Sequence, residues 1–308
     1  RDDVESRGLG DVYKRQGKIS AAALIQDRKV LRYIGKKYIT ARREMGFLVP
    51  SKGYEYATIK GHKCAIIVGD DLSRERDFDQ SVETVISINA RKYGKGTMTY
   101  RYEMMRNLAF VESKNLVLVN QVGGSTDIVY DGTSGALNSR GELVLMMKNF
   151  EEDFQIFDTK ASARPITIPS TYNDRTRLVY EAARCGLRDF FRKNGYRKAS
   201  IGLSGGIDSA VVASIAADAL GAENVRALLM PSPFSSLESV EDAKELARNL
   251  GIEYNVIPIS EIYTSVVNTL KPVIGGTEFD ATEENIQTRI RTVLLMALQN
   301  KTDYILLN

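Results

Sequence analysis

Residues 200–210 read Ser200-Ile201-Gly202-Leu203-Ser204-Gly205-Gly206-Ile207-Asp208-Ser209-Ala210, and this stretch decides the fold of the second half of the chain. Arg197 to Leu203, leading into it, has the pattern of a short buried strand. Ala210 to Leu220, leading out, is an Ala-rich run with the pattern of a helix. A strand, a Ser-Gly-Gly turn and a helix N-terminus in succession make a site for phosphate. Glycines let the backbone approach an anion, the free N–H groups of the first helical turn point at it, and the helix dipole favours negative charge there. Ser204 and Ser209 add hydroxyls. Asp208 beside a phosphate makes sense if it holds a metal ion that the phosphate also binds. The plain alternative is a Gly-rich βα turn with capping serines and no ligand. The Gly-Lys-Ser/Thr ending of a Walker A loop is absent.

Strands and helices alternate on from the loop. Strand 198–203 leads to helix 208–220, strand 225–230 to helix 238–250, strand 253–257 to helix 260–270, and a helix over about 282–300 precedes a last strand. Such alternation predicts a doubly wound parallel sheet. Before the loop, a helix over about 176–193 has Leu178, Ala182, Cys185, Phe190 and Phe191 as its apolar side. Residues 161–175, with Pro165, Pro169 and a polar run, read as a linker. Residues 17–160 read as a separate α/β layered domain. It has a hairpin around Gln26-Asp27-Arg28, a continuous apolar strand Cys64-Ala65-Ile66-Ile67-Val68, further strands at 84–89 and 116–120, and a helix over Tyr100–Ser113.

The 308 residues suit two domains, and 43% hydrophobic with 26% charged content is ordinary for a globular chain. A net charge of +3 gives no argument for nucleic acid, and no apolar run is long enough to span a bilayer. Two cysteines, Cys64 and Cys185, make no disulfide framework and favour a cytoplasmic setting. Residues 1–16 are polar, and Asp11-Val12-Tyr13-Lys14-Arg15-Gln16 resembles an in-frame translation of a sequencing-library adapter. The segment is therefore expected to be non-native. The last strand, ending at Asn308, would stop at the sheet edge where ligands sit, so the chain is expected to continue beyond it.

The Ser204–Ser209 loop resembles the pyrophosphate loop of the N-type ATP pyrophosphatases, which points to an adenine nucleotide alpha hydrolase-like fold. The resemblance implies that Gly202, Leu203, Ser204, Gly205, Gly206, Ile207, Asp208 and Ser209 hold ATP through its pyrophosphate, with Asp208 on Mg²⁺. Leu228-Leu229-Met230-Pro231-Ser232 resembles the adenosine-carrying strand end of NAD synthetases, which implies an ATP contact at Met230. Asn285-Ile286-Gln287-Thr288-Arg289-Ile290-Arg291 resembles their dinucleotide-receiving helix, implying deamido-NAD contacts at Asn285, Arg289 and Arg291. Asn285 and Arg289, four apart, share a face, and that pair is the expected contact. Leu306-Leu307-Asn308 resembles the strand just before the family's Thr and Glu ligands, expected beyond Asn308.

The first domain resembles the nitrilase-like (carbon-nitrogen hydrolase) glutaminase of glutamine-dependent NAD synthetases. Val119-Asn120-Gln121-Val122-Gly123-Gly124, Tyr130-Asp131-Gly132 and Ile88-Asn89-Ala90 carry that likeness. Lys36 matches the family's catalytic Lys. The nucleophile belongs in an Ile-Cys-Glu-Asp-Leu stretch, where this chain has Val68-Gly69-Asp70-Asp71-Leu72. Glycine cannot attack an amide carbon. Cys64, five residues earlier, points to the opposite face of its strand. Arg91 stands where the family has Ser, and Arg42 where it has a glutamine-contacting Tyr. The resemblance thus implies a homo-oligomeric ligase that makes NAD from deamido-NAD and ATP, with ammonia or glutamine as nitrogen source and the glutaminase half degenerate. Another amidotransferase of the same superfamily, or a non-catalytic nucleotide-binding protein, remains the alternative.

Overall fold

The computed structural model describes residues 18–39, 45–51, 56–74, 78–94, 96–159, 164–275 and 280–307. Segment 1–16, Arg42 and Asn308 lie outside them. The chain divides into two compact units, 1–123 with 128–178, and 124–127 with 179–308.

The first unit is built on a six-stranded sheet. Its strands are β3 (Tyr56–Ile59), β4 (His62–Val68), β5 (Thr84–Asn89), β6 (Asn115–Asn120), β9 (Gly135–Leu137) and β10 (Leu143–Met146), in the order β10-β9-β6-β5-β4-β3. The central β4-β5-β6 run is parallel, with Cys64 opposite Thr84 and Val68 opposite Ile88; the outer pairs are antiparallel. β1 (Ala21–Gln26) and β2 (Lys29–Gly35) form the expected antiparallel hairpin, and β7 (Val122–Ser125) pairs with β8 (Ile128–Asp131). The helix α1 (Thr97–Glu112) starts three residues earlier than its apolar spacing suggests, because Gly96 in the left-handed region caps it. Its Tyr102, Met105, Leu108 and Ala109 pack with Ala65, Ile67, Val85, Leu116 and Leu118 into one core. The side chains of β4 alternate: Ala65 and Ile67 enter this core, and Cys64 is buried outside it.

The second unit holds α2 (Arg175–Asn194) from Val179 onward and a four-stranded, all-parallel sheet. The strands are β11 (Lys198–Gly202), β12 (Val225–Leu229), β13 (Glu253–Val256) and β14 (Tyr304–Leu307), in the order β13-β12-β11-β14. Between them come α3 (Ile207–Leu220), α4 (Leu237–Leu250), α5 (Ser260–Ile274) and α6 (Ala281–Lys301). Both faces are covered. Ile201, Leu203, Ala227 and Leu229 meet Ala213 and Ala216 of α3 and Ala243 and Ala247 of α4. The alternate residues Leu228 and Met230 meet Tyr263 of α5 and Ile290 of α6. Alanines at the α3 and α4 contacts let both helices approach the sheet closely. The chain steps from β11 through β12 to β13 on one side and returns to β14 on the other. The order therefore reverses at β11, the place in an open α/β sheet where a crevice opens at the strand ends.

In α2, Ala182, Cys185 and Phe191 are buried as expected, whereas Phe190 is 45% exposed. The seam position four beyond Cys185 belongs to Asp189, which is buried and accepts the Gly124 N–H at 2.7 Å. Phe190, one residue on, is turned away by about 100°. Tyr180 of α2 donates its hydroxyl to the Asp218 carboxylate of α3. Burial first, then that bond, push the Tyr180 phenol up to about 12. The folded value lies above the unfolded one near 10, so the contribution to stability is fully present below about pH 10. It is lost as pH rises toward 12. The expected result is an unfolding midpoint that falls across this window in the native chain and falls less in Tyr180→Phe; superimposable profiles would show that the contact contributes nothing.

Candidate functional site

The loop after β11 curls on itself before α3 begins. Ser209 Oγ donates to the Gly206 carbonyl (3.0 Å) and accepts the Ser204 N–H (3.2 Å), while Ser204 Oγ accepts the Gly206 N–H (3.2 Å) and lies 3.1 Å from Ser209 Oγ. Gly206 is the N-cap of α3, in extended conformation, and the first-turn N–H groups have no carbonyl four residues back to donate to. Gly205 has φ +85°, and a Cβ there would overlap the Ser239 carbonyl oxygen, within 2.9 Å of the Ser239 Cα and carbonyl carbon. The first turn of α4 thus presses on the apex of the loop at a distance only glycine permits. That turn is itself held by the Ser236 N-cap, whose Oγ accepts the Ser239 N–H at 3.1 Å.

A cavity of about 450 Å³ opens beside this loop. Gly202, Leu203, Ser204, Asp208 and Ser209 line it together with Met230 and Pro231 and with Thr288, Arg291 and Leu295 of α6. A Cβ on Gly202 would come within 3.3 Å of both Leu295 Cδ1 and Met230 Cε, so glycine keeps the slot between strand and helix open. The sequence singled out Gly202, Leu203, Ser204, Asp208, Ser209, Met230 and Arg291, and the structure gathers all seven at this cavity. Gly205 and Gly206 shape the loop from behind. Ile207, 75% exposed, faces away.

The expected Asn285–Arg289 pair is not at this cavity. Both side chains are exposed, and Arg289 Nη1 donates to the Asn285 side-chain oxygen (3.0 Å) and main-chain carbonyl (3.2 Å). Arg289 and Arg291 are two residues apart, which separates them by about 160° around a helix. Only the face carrying Ile290 and Arg291 packs toward the sheet. Sequence reasoning missed Ser239, Thr288 and Thr292, whose i, i+4 spacing on α6 was the available signal for the last two.

Among the described residues no three His, Cys, Asp or Glu side chains come together as a metal cage. Asp208 is the one acidic group among the described residues lining the cavity. That donor set suits Mg²⁺, which is commonly held by one or two carboxylates while phosphates and water supply the rest.

In the first unit, the Asp71 carboxylate accepts the N–H groups of Lys37 (2.5 Å) and Tyr38 (2.9 Å). This ties the segment after β2 to the turn after β4 and lays Lys36 against Gly69. Lys36 is only 5% exposed, and a Cβ on Gly69 would meet its Cε at 3.2 Å and Nζ at 3.4 Å. Gly69 has φ +67°, a conformation strained for any L side chain. Cys64 is buried, its thiol donates to the His62 carbonyl at 3.7 Å, and burial pushes its pKa up, so it is a protonated core residue. Asn120 clamps the Arg91 backbone, accepting its N–H at 2.8 Å and donating to its carbonyl at 3.3 Å.

A parallel sheet with a Ser-Gly-Gly-x-Asp-Ser turn at its reversal point defines the class: a doubly wound α/β domain. Residues 179–308 match the NAD synthase family model. The glutamine-dependent NAD(+) synthetase of Acinetobacter baylyi is 34% identical over 291 residues, covering 92% of this chain and 54% of that protein. That of Thermotoga maritima is 32% identical, covering 97% and 59%. The solved structure of the Acinetobacter baumannii glutamine-dependent NAD+ synthetase, in complex with adenosine diphosphate, superposes with TM-score 0.82 at 33% identity, over 94% of this chain and 57% of that one. A Cytophaga hutchinsonii glutamine-dependent NAD(+) synthetase, 16% identical, shares the fold with TM-score 0.77. The chain belongs to the glutamine-dependent NAD synthetase family and spans about half the length of the relatives it matches. Among the described residues no helix is long and apolar enough to cross a membrane.

Proposed function

We propose that the protein is a carbon–nitrogen ligase that converts deamido-NAD to NAD with ATP. The observation that carries this is the Ser204–Ser209 loop, locked at the reversal point of the sheet by the Gly205–Ser239 contact and opening on a cavity with Asp208. The oriented N–H groups and hydroxyls of Ser204, Gly205, Gly206 and Ser209 would grip the β- and γ-phosphates of ATP. The slot beside Gly202 and Met230 would take its adenosine. A carboxylate oxygen of the second substrate then attacks the α-phosphorus as the bond to pyrophosphate breaks, and ammonia displaces AMP from the adenylate to leave the amide. The protein's part is positioning and charge neutralisation, which need preformed donors more than a general base. Asp208 would hold Mg²⁺, whose charge offsets that of the phosphates. The Asn285–Arg289 pair, outside the cavity, is left for the dinucleotide.

Gly69 and Arg91 support free ammonia as the nitrogen source. Lys36 lies against Gly69, which has no side chain to form an acyl intermediate. Asp208→Ala is expected to abolish ATP-dependent NAD formation without unfolding the protein, and retained activity would sink the reading. With glutamine as the only nitrogen source, no enzyme-dependent glutamate release is expected, whereas ammonium should support turnover. Measurable glutamate release would overturn the ammonia assignment alone.

A further inference from the structure

Among the described residues lining the cavity, Arg291 is the single positively charged side chain and Asp208 the single negative one. Arg291 Nε donates to the Met230 carbonyl at the end of β12 (3.0 Å). That bond fixes the plane of the guanidinium and leaves both Nη groups without a partner among the described residues. Among the described residues no carboxylate pairs with it, and burial lowers its pKa, as for a cation held partly out of water. The neighbouring hydroxyls cannot take over its role. Thr288 Oγ1 donates to the Glu284 carbonyl (3.1 Å) and Thr292 Oγ1 to the Thr288 carbonyl (3.0 Å), so both present only lone pairs to the cavity. A guanidinium held in a fixed plane, lining the same cavity as the Ser204–Ser209 loop, is a fork for two phosphoryl oxygens.

We propose that Arg291 is the phosphoryl-binding cation of the ATP cavity, and that the two arginines of α6 divide their work: Arg291 serves the nucleotide held by the loop, and Arg289, bonded to Asn285, does not. The inference rests on the ATP-binding reading above and adds which side chain of α6 answers the phosphate charge.

Calorimetric titration of the protein with adenosine, AMP, ATP and deamido-NAD, each alone, tests it. In Arg291→Met, AMP and ATP are expected to bind roughly tenfold or more weakly, the size of a lost charge-assisted hydrogen bond, with adenosine affinity unchanged. Arg291→Lys keeps the charge but not the fork and should recover part of the loss. Arg289→Met should leave ATP affinity as it was. Equal weakening of adenosine and ATP in Arg291→Met would mean that the residue shapes the base slot through Met230, and would overturn the proposal. So would loss confined to deamido-NAD, which would return Arg291 to the dinucleotide. If Arg291→Met does not fold, Arg291→Lys decides by the same adenosine-to-ATP comparison. Failure of the unsubstituted protein to bind ATP would remove the functional reading as well; normal binding there with unchanged ATP affinity in Arg291→Met removes this inference only.

Discussion

Gly205→Ala is expected to reduce ATP affinity by at least a hundredfold, the largest effect of any single methyl group in this protein. The added Cβ would overlap the Ser239 carbonyl oxygen, a main-chain atom in the first turn of α4 that no rotamer change can move aside. The residue would also have to hold φ +85°, where a non-glycine side chain costs about 1 kcal/mol or more. Either the loop or the α4 turn must shift, and a shift of that size disperses the N–H groups that the phosphate needs. Ser239→Gly in the same background offers no relief, because the clash is with backbone. Calorimetry with ATP reads the effect, and near-native affinity would show that the loop adapts freely. Gly206→Ala is the informative neighbour. Its backbone is extended, and the nearest atom to its Cβ, Ser204 Oγ, lies at 3.4 Å, so a far smaller loss is expected.

The second large effect lies in the first unit. Arg101 of α1 is fully buried, and its Nη2 bonds both oxygens of Asp131 (3.0 and 3.1 Å) while Nη1 reaches the Gly132 carbonyl (3.2 Å). Asn120 Nδ2 donates to the same Asp131 (2.9 Å), and Tyr102 bonds the Thr133 carbonyl (3.1 Å). The network ties α1 and the end of β6 to the turn after β8. Asp131→Ala leaves a buried guanidinium without its counter-charge and is expected to cost about 3–5 kcal/mol. The double change Arg101→Met with Asp131→Leu should cost less than Asp131→Ala alone, since two desolvated charges disappear together. Urea unfolding of the two variants beside the native protein checks the order. A double variant less stable than the single would show that the pair attracts more strongly than burial penalises it.

These cases separate what was legible along the chain from what was not. The alternation of strands and helices after residue 197, the loop and the helix following it could be read because their signals are local: period two, period 3.6, and glycines at a turn. Arg101 gave a faint local signal, since it stands four before Met105 and seven before Leu108 on the buried face of α1. Its partner is thirty residues away and could not be read.

Helix α6 shows the limit most clearly. Its spacing of Asn285 and Arg289 correctly predicted that the two share a face, and they do bond to each other. Spacing could not say which face of α6 meets the sheet. That was decided when Ile290 packed against Leu228 and Met230, which turned Arg291 inward to the Met230 carbonyl and left Arg289 outside.

Likewise, the sequence by itself determined that residues 204–209 form a Gly-rich turn between strand and helix, and that two α/β units follow one another. Only the tertiary structure decided that Gly205 lies under Ser239, that Lys36 rests against Gly69, and that one arginine of two enters the cavity. The reason is that periodicity and turn chemistry act between residues a few positions apart, whereas a site is completed by close packing between segments whose separation along the chain carries no pattern.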